Sequence, residues 1–309
     1  MNRRYVTVDV FTDRLFGGNP LAVVLDAEGL TAEQMQALAA EFNYSETTFV
    51  LPPREPGHTA QVRIFTPRIE VPFAGHPNVG TAVVLARERE GRGSAPRDRF
   101  LFEEGAGVVA IRLLREGATV VGAEFTAPAA LSIGPVVSLA DAAACLSLGA
   151  ADIGMHRHPP QIVSVGLPWL VTEVTTREGL QRARPDLAVH ERVLPPVGTD
   201  GVFAYWRAPA GTALSARAFA PLDATVEDPA TGSATAATIA LLAALPSERE
   251  GELAWRVDQG VDMGRPSLLL GRTERHRGVV RAVHVAGQAV PVMHGLLQLD
   301  ATATETRPR

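Results

Sequence analysis

Two glycine-containing segments, one in each half of the chain, resemble each other. They read FAGHPNVGTAVVLA (73–86) and ATGSATAATIALLA (230–243), and in each a turn of small or polar residues leads into a helix of small residues. Upstream of each lies a Gly-x-Pro step followed by an apolar run, GNPLAVVL (18–25) and GLPWLVTEV (166–174). Because the same order of elements recurs, the sequence predicts two related domains that face each other, with a ligand site in the cleft between them.

Strand and helix patterns are interleaved along the chain. Apolar and polar residues alternate, as in half-buried strands, over the segments 5–11, 21–25, 59–65 and 202–206. One helix pattern opens at Thr31, where Thr31 and Gln34 form a capping box, and others cover 77–90, 138–146 and 234–245. The predicted fold class is α+β, with many short strands around few helices.

The charge and hydropathy of the chain exclude several classes of protein. It carries 29 basic and 34 acidic residues without a long basic run, which does not suggest a nucleic-acid partner. No apolar stretch approaches the roughly 20 residues of a membrane-spanning helix. The first residues, MNRRYVTVDVF, enter a strand pattern instead of the apolar core of a signal peptide. We therefore expect a cytoplasmic protein without a membrane or nucleic-acid partner.

Two residue counts exclude covalent chemistries. All 29 basic residues are arginines, so no lysine is present to form a Schiff base or to bind phosphate in a P-loop. The single cysteine, Cys145, cannot supply an internal disulfide, a thiolate zinc cage or the thiol pair of a two-cysteine racemase. It lies in an apolar helix pattern and is most simply a small buried side chain.

The repeated glycine turns are candidate anion sites. Gly75, His76 and Pro77 begin one predicted helix, and Gly232 and Ser233 begin the other. The free amides and the dipole of a helix N-terminus favour an anion, so two such ends in one cleft would suit a substrate that carries a carboxylate. The alternative is that the glycines only permit tight turns and that Ser233 caps a helix.

Three ionisable residues are candidates for proton chemistry. Glu46 stands at the head of a predicted strand, and burial at a cleft would raise its pKa toward the neutral range that a general acid/base needs. His76, beside a helix N-terminus, would stay neutral and could hydrogen-bond a substrate, and Asp228 would lie at the rim of the second turn. The structural alternatives are a solvated strand end for Glu46, a structural role for His76 and an Asx turn at Asp228.

A His-x-His pattern is a weaker candidate for a metal site. His156 and His158 would lie on one face of a strand, but no cysteine or acidic residue with ligand spacing accompanies them and two prolines follow. We therefore predict no metal.

Five segments in a fixed order carry a family resemblance. They are VDVFTDRLFGGNPLAVVLDAEGL (8–30), NYSETTFVL (43–51), FTPRIEVPFAGHPNVGTA (65–82), EDPATGSATAA (227–237) and QGVDMGRPS (259–267). Together they resemble the PhzF-like proteins, the phenazine-biosynthesis isomerase family, over nearly the whole chain. The resemblance implies the diaminopimelate-epimerase fold, with two pseudo-symmetric domains, each a mixed or antiparallel sheet rolled around a central helix, and an active site in the interdomain cleft.

The resemblance also implies boundaries and residue roles. We expect domains over residues 1–127 and 128–300, with a last strand that could cross back to the first domain, and a flexible tail over 301–309. Family catalysis needs neither a metal nor a cofactor, and the protein is expected to be a homodimer. The catalytic residues carried over are Glu46, His76 and Asp228. The residues that would bind a substrate carboxylate or line the cleft are Asn19, Gly75, Gly232 and Ser233.

Three functions are compatible with these residues. The first is an isomerase in which one glutamate lifts a proton from one carbon and returns it to another, which moves a double bond in a small carboxylate-bearing substrate. The second is a racemase or epimerase of an amino-acid-like substrate, which would need His76 or Asp228 as a second base opposite Glu46. The third is a non-catalytic protein that binds a small molecule on the same scaffold.

Overall fold

The described residues, 2–209, 211–223, 225–245 and 250–299 of this computed structural model, form a mixed α+β fold with a strand-rich, barrel-like sheet. The tail expected over 301–309 lies outside the described residues. The strands are β1 Asn2–Val10, β2 Asn19–Val24, β3 Glu46–Leu51, β4 Ala60–Phe65, β5 Glu70–Val71, β6 Arg99–Glu104, β7 Gly107–Glu116, β8 Thr119–Thr126, β9 Ser132–Val136, β10 Gln161–Ser164, β11 Pro168–Glu173, β12 Val202–Arg207, β13 Ala213–Ala220, β14 Thr225–Asp228, β15 Gly251–Gln259, β16 Ser267–His276 and β17 Val279–Gln298. The helices are α1 Ala32–Phe42, α2 Gly75–Gly91, α3 Leu139–Cys145, α4 Arg177–Arg182, α5 Leu187–Val193 and α6 Gly232–Ala244.

The elements predicted from the sequence are present, with small differences at their ends. The capping box of α1 is confirmed, because Thr31 Oγ1 accepts from the Gln34 amide while Gln34 Oε1 accepts from the Thr31 amide. The other predicted helices correspond to α2, α3 and α6, and the four predicted strands to β1, β2, β4 and β12. Cys145 is buried, as expected. Among the helices of the described ranges, none has the length and apolar character needed to cross a membrane.

The order of strand pairings is the same in the two halves of the chain. From β1 through β2, β3, β4, β6 and β7 to β8, the successive pairs are antiparallel, parallel, antiparallel, parallel, antiparallel and antiparallel. From β10 through β11, β12, β13, β15 and β16 to β17, the same pairings recur in the same order. The short strands β5 and β14 pair with β4 and β13, and each precedes a helix, α2 or α6. The repeat in the sequence is therefore also a repeat in topology.

The last strand, β17, joins the two halves. Its residues 279–286 pair with β16, residues 284–288 pair with β8, and residues 289–298 pair with β1. Since β17 pairs with both β1 and β8, it closes the strands of the N-terminal half into a ring. The C-terminal end of the described chain thus returns to the N-terminal half.

Two helices of mostly small residues are enclosed by these strands. The first ten residues of α2, 75–84, and residues 232–243 of α6 are buried. α2 packs against β1, β2, β8 and β17, and α6 against β10, β11, β16 and β17. Because both helices are covered on all sides, they lack a polar stripe along their buried length. Because both helices pack against β17, the start of α2 lies next to the start of α6.

Candidate active site

The N-termini of α2 and α6 meet each other. A Cβ atom built on Gly75 would lie 3.0 Å from Cα of Gly232, and one built on Gly232 would lie 3.2 Å from Cα of Gly75. Neither N-cap residue, Ala74 or Thr231, caps its helix with its side chain. The structure therefore brings the two predicted glycine turns together and leaves the first-turn amides of both helices without a side-chain cap.

Glu46 and His76 are neighbours at this junction. Oε2 of Glu46 lies 3.5 Å from Nδ1 of His76. Glu46 is the first residue of β3 and His76 is the second residue of α2, so a strand head and a helix start bring the two side chains together. The His76 side chain is 4% exposed and that of Glu46 is 18% exposed. The alternative of a solvated strand end does not describe Glu46, although its carboxyl keeps some access from outside.

Burial determines the protonation of this pair. Burial raises the pKa of Glu46 well above the usual glutamate value, and the negative charges of Asp228 and Asp223 raise it further. Burial lowers the pKa of His76 to about 3, so the imidazole is neutral at neutral pH. Within the described part of the chain, Nε2 of His76 is buried and has no hydrogen-bond partner. The site therefore holds a carboxyl group suited to proton exchange beside an uncharged imidazole.

Asp228, at the end of β14, is held by hydrogen bonds from both halves of the chain. Its Oδ1 accepts from Nδ2 of Asn19 at 2.8 Å and from Oγ of Ser45 at 3.0 Å. Its Oδ2 accepts from Oγ1 of Thr231 at 2.5 Å. Burial raises the pKa of Asp228 to about 6, against the opposing effect of these three hydrogen bonds. The carboxyl group thus connects the residue before Glu46 to the turn that precedes α6.

Asn19 and Ser233 complete the set of predicted residues. Nδ2 of Asn19 also donates to the carbonyl oxygen of Ala230 at 3.0 Å, and Oδ1 of Asn19 is buried without a hydrogen-bond partner in the described ranges. Oγ of Ser233 accepts from Nε1 of Trp169 at 3.2 Å. Because the indole N–H only donates, the hydroxyl proton of Ser233 remains available to another acceptor.

Three residues at the site were not predicted from the sequence: Ser45, Thr231 and Trp169. Ser45 and Thr231 are next to Glu46 and Gly232, so their position beside candidates was a usable signal. Trp169 lies 64 residues from the hydroxyl that it contacts. Nothing local in an apolar strand indicates such a contact.

A surface recess of about 370 Å³ borders the site. Its lining includes Tyr44, Ser45, Val226, Glu227 and Met263, and Ser45 also contacts Asp228. A larger pocket, of about 640 Å³, lies near the start of β16 and contains none of the predicted site residues. The smaller recess also contains none of the predicted site residues, but it lies beside the site, since Ser45 in its lining donates to Asp228.

The His-x-His pattern does not form a metal site. Both histidines lie in a loop, and His158 contacts the hydroxyl of Tyr205 through Nε2 at 2.7 Å and the carbonyl oxygen of Pro159 through Nδ1 at 2.8 Å. Across the described ranges, no group of three or more His, Cys, Asp or Glu residues is arranged to hold a metal ion.

Known proteins match this chain over nearly its whole length. Residues 8–295 match the model of a family described as phenazine biosynthesis-like protein, PhzC-PhzF. A relative from Mesorhizobium japonicum, named as an uncharacterized isomerase, is 37% identical over 96% of this chain and 98% of its own. A trans-2,3-dihydro-3-hydroxyanthranilate isomerase of Pseudomonas chlororaphis is 36% identical over 96% of this chain and 99% of its own. The crystal structure of a PhzF-family phenazine biosynthesis protein from Bacillus anthracis matches with a TM-score of 0.84 and 24% identity, over 97% of this chain and 100% of its own.

Proposed function

Because the chain belongs to the PhzC-PhzF family of phenazine biosynthesis-like proteins and is an isomerase, we propose that it moves a double bond in a small carboxylate-bearing substrate by proton transfer through Glu46. The family resemblance found in the sequence is confirmed. The observation that carries the proposal is the buried carboxyl of Glu46, with a raised pKa, 3.5 Å from an imidazole that is neutral at neutral pH. A carboxyl in this state exchanges protons near neutral pH.

The substrate carboxylate binds between the two helix N-termini. The amides of Gly75, His76, Gly232 and Ser233 would hold it, with the positive ends of two helix dipoles directed at the same charge. The absence of a side-chain cap at Ala74 and at Thr231 supports this role. The buried unpartnered atoms Nε2 of His76 and Oδ1 of Asn19 are further polar groups that a bound molecule would satisfy.

In the proposed transfer, one residue, Glu46, both removes and returns the proton. The Glu46 carboxylate takes a proton from one carbon, so that a C–H bond breaks and an O–H bond forms while the electron pair shifts the double bond. The protonated carboxyl then returns the proton to another carbon on the same face. The neutral imidazole of His76, whose Nε2 has no hydrogen-bond partner among the described residues, can donate to the negative charge that develops. The carboxyl of Asp228 orients the polar groups around the substrate, because it accepts from Asn19, Ser45 and Thr231. No net electron or proton is gained or lost.

The topological repeat supports a single base. In the N-terminal half, Leu21 on β2 is paired with Glu46 on β3. In the C-terminal half, Leu170 on β11 is paired with Val202 on β12, so the preceding residues, Trp169 and Gly201, lie beside each other. Trp169 corresponds to Leu21, and Gly201 corresponds to Glu46. A Cβ atom on Gly201 would lie 2.3 Å from the Trp169 ring. The position that corresponds to Glu46 is therefore Gly201, which has no side chain and is covered by the indole of Trp169, and this argues against symmetric two-base epimerisation.

The domain organisation belongs to the same proposal. We propose domains over residues 1–127 and 128–300, each around one enclosed helix, α2 or α6, with the last strand, β17, crossing back to the first domain. The recurrence of the same strand pairings in both halves supports this division. The homodimer and the cytoplasmic location stay predictions.

Proton NMR in deuterium oxide tests the proposed function. The probes are trans-2,3-dihydro-3-hydroxyanthranilate, the compound for which the relative is named, and a panel of small amino and hydroxy acids. We expect one compound to isomerise, with deuterium entering the carbon that receives the proton at less than full occupancy, since a buried carboxyl retains part of the original proton. Exchange with inversion at a single carbon would indicate a racemase, and silence across the panel together with ligand binding would indicate a binding protein.

The pH dependence of turnover should report the environment of Glu46. The carboxylate must be present to accept a proton, so kcat/KM should rise with pH through the raised pKa of Glu46. Replacing Asp223 with Asn removes one of the negative charges that raise this pKa, so the acid limb should move to lower pH. The control is Asp200→Asn, since Asp200 acts on the pKa of Asp223 rather than on that of Glu46. An acid limb that stays in place or moves upward in Asp223→Asn contradicts the assignment.

A further inference from the structure

The motif QGVDMGRPS (259–267) has no part in the proposed chemistry, yet it contacts both halves of the site. Gln259, which ends β15, is buried. Its Nε2 donates to the carbonyl oxygen of Asp228 at 2.8 Å and to Oγ1 of Thr231 at 2.9 Å, and its Oε1 accepts from the Thr231 amide at 3.0 Å. These bonds fix the turn between Asp228 and α6.

Arg265, six residues later, holds the glycine turn of the N-terminal half. Its Nε donates to the carbonyl oxygen of Gly18 at 2.8 Å, and its Nη2 donates to the carbonyl oxygen of Gly17 at 2.7 Å. Nη2 also donates to Oδ1 of the buried Asp9 at 2.6 Å. The other carboxylate oxygen of Asp9 accepts from the Phe16 amide at 2.7 Å. The Arg265 guanidinium thus connects both ends of the segment 9–18, at Asp9 and at the Gly17–Gly18 turn, to the C-terminal half of the chain.

The turn held by Arg265 ends at Asn19. Gly18 has a φ of +62°, and a Cβ atom there would lie 2.3 Å from the carbonyl oxygen of Val10, so the turn has little freedom to adjust. Asn19 follows directly and donates to Oδ1 of Asp228 at 2.8 Å. A displacement of the Gly17–Gly18 backbone would therefore move Asn19 and change its hydrogen bond to Asp228.

We propose that Arg265 is a positioning residue, which fixes Asn19 against Asp228 through the Gly17–Gly18 turn. Gln259 holds the same aspartate from the other side, so this one motif aligns both halves of the site. The inference rests on the proposed function for the role of Asp228. Arginine suits this place because its planar fork offers several donors in fixed directions to two carbonyls and a carboxylate, whereas a lysine ammonium is a single flexible point.

Kinetics of three variants test the proposal. Arg265→Met should lower kcat by about 10- to 100-fold, as expected for a small misplacement of a group at the reacting centre, with KM changed by less than about threefold. Arg265→Lys should recover only part of this loss. The matched control is Arg4→Met, because Arg4 is likewise held by side-chain contacts, to the carboxylates of Asp26 and Glu88, and has a similar exposure of 37% against 30% for Arg265. The control should keep kcat within about twofold.

A double variant separates positioning from a direct role. If Arg265 acts through Asn19, then Asn19→Ala combined with Arg265→Met should be no slower than Asn19→Ala alone, because the second change removes an interaction that is already lost. Multiplied losses in the double variant would overturn the proposal and indicate that Arg265 acts on the substrate itself.

Hydrogen–deuterium exchange tests the inference without turnover. Amides of residues 12–22 should exchange faster in Arg265→Met and as slowly as wild type in Arg4→Met. If the wild type binds but does not convert a compound of the panel, the proposed function fails, while the exchange result still decides whether Arg265 holds the turn. Unchanged exchange in Arg265→Met would overturn the positioning role.

Discussion

Glu46→Gln should abolish turnover while leaving substrate binding nearly intact. Glutamine keeps the shape of the side chain but accepts no proton at its amide, so both halves of the transfer lose their carrier. General acid/base catalysis typically contributes about 10²- to 10⁴-fold, and we expect kcat to fall by at least this much. Single-turnover NMR measures the loss of kcat, and calorimetric titration with the same compound measures binding.

A matched control accompanies this variant. Glu41, on α1, is exposed, so Glu41→Gln makes the same chemical change away from the candidate site. Turnover in Glu41→Gln should equal that of the wild type. Retained turnover in Glu46→Gln would refute the proton-transfer role, and a loss of binding equal to the loss of kcat would make Glu46 a binding group.

The same substitution should stabilise the folded chain as the pH rises. The pKa of Glu46 is raised in the folded state above its unfolded value of about 4.3. The contribution of such a group to stability is fully present below the unfolded pKa and is lost as the pH rises through the folded pKa. Because glutamine has no charge to bury, the Tm of Glu46→Gln should exceed that of the wild type by a margin that grows with pH.

The positions of the candidate residues were predictable because they follow turns that the sequence marks. Gly75 and Gly232 start helices in two similar segments, and Glu46 begins a strand. Each of these features depends on residues within a few positions. Because both the local features and the topology repeat, the fold brings these residues together. The order of the motifs therefore predicted most of the candidate residues.

The contacts that hold the site were not predictable, because they join distant parts of the chain. Arg265 reaches a carbonyl 247 residues away, and Trp169 reaches a hydroxyl 64 residues away. The family resemblance allowed the last strand to cross back to the first domain, but the register of β17 with β1 and β8 depends on how the halves close on each other. The raised pKa of Glu46 was expected only on the condition that the residue is buried at a cleft, and that burial, with the charges on other elements, is set by the packing. Such properties follow from topology and packing, which no local pattern encodes.

Gly75→Ala should destabilise the fold and weaken substrate binding. The added Cβ would lie 2.8 Å from Cζ of Phe125 and 3.0 Å from Cα of Gly232, so the ring or the helix start must move. Overpacking of this kind costs about 1–3 kcal/mol, which exceeds the gain of up to about 1 kcal/mol from replacing glycine by alanine in a helix. We expect a lower urea midpoint and at least about tenfold weaker binding by calorimetry, because 1.4 kcal/mol of lost contact with the helix amides already corresponds to about tenfold.

A second glycine of the same helix gives the control for this change. Gly91 ends α2, and a Cβ atom there would meet nothing within 4 Å. Gly91→Ala should therefore leave binding unchanged and keep or raise the stability, by up to about 1 kcal/mol through the lower entropy of the unfolded chain. Full stability and undiminished binding in Gly75→Ala would show that the two helix starts are not in contact and that their amides do not hold the substrate. Full stability with weakened binding would support the anion site and contradict only the predicted steric strain. The methyl group would then cover the amides without displacing the helices.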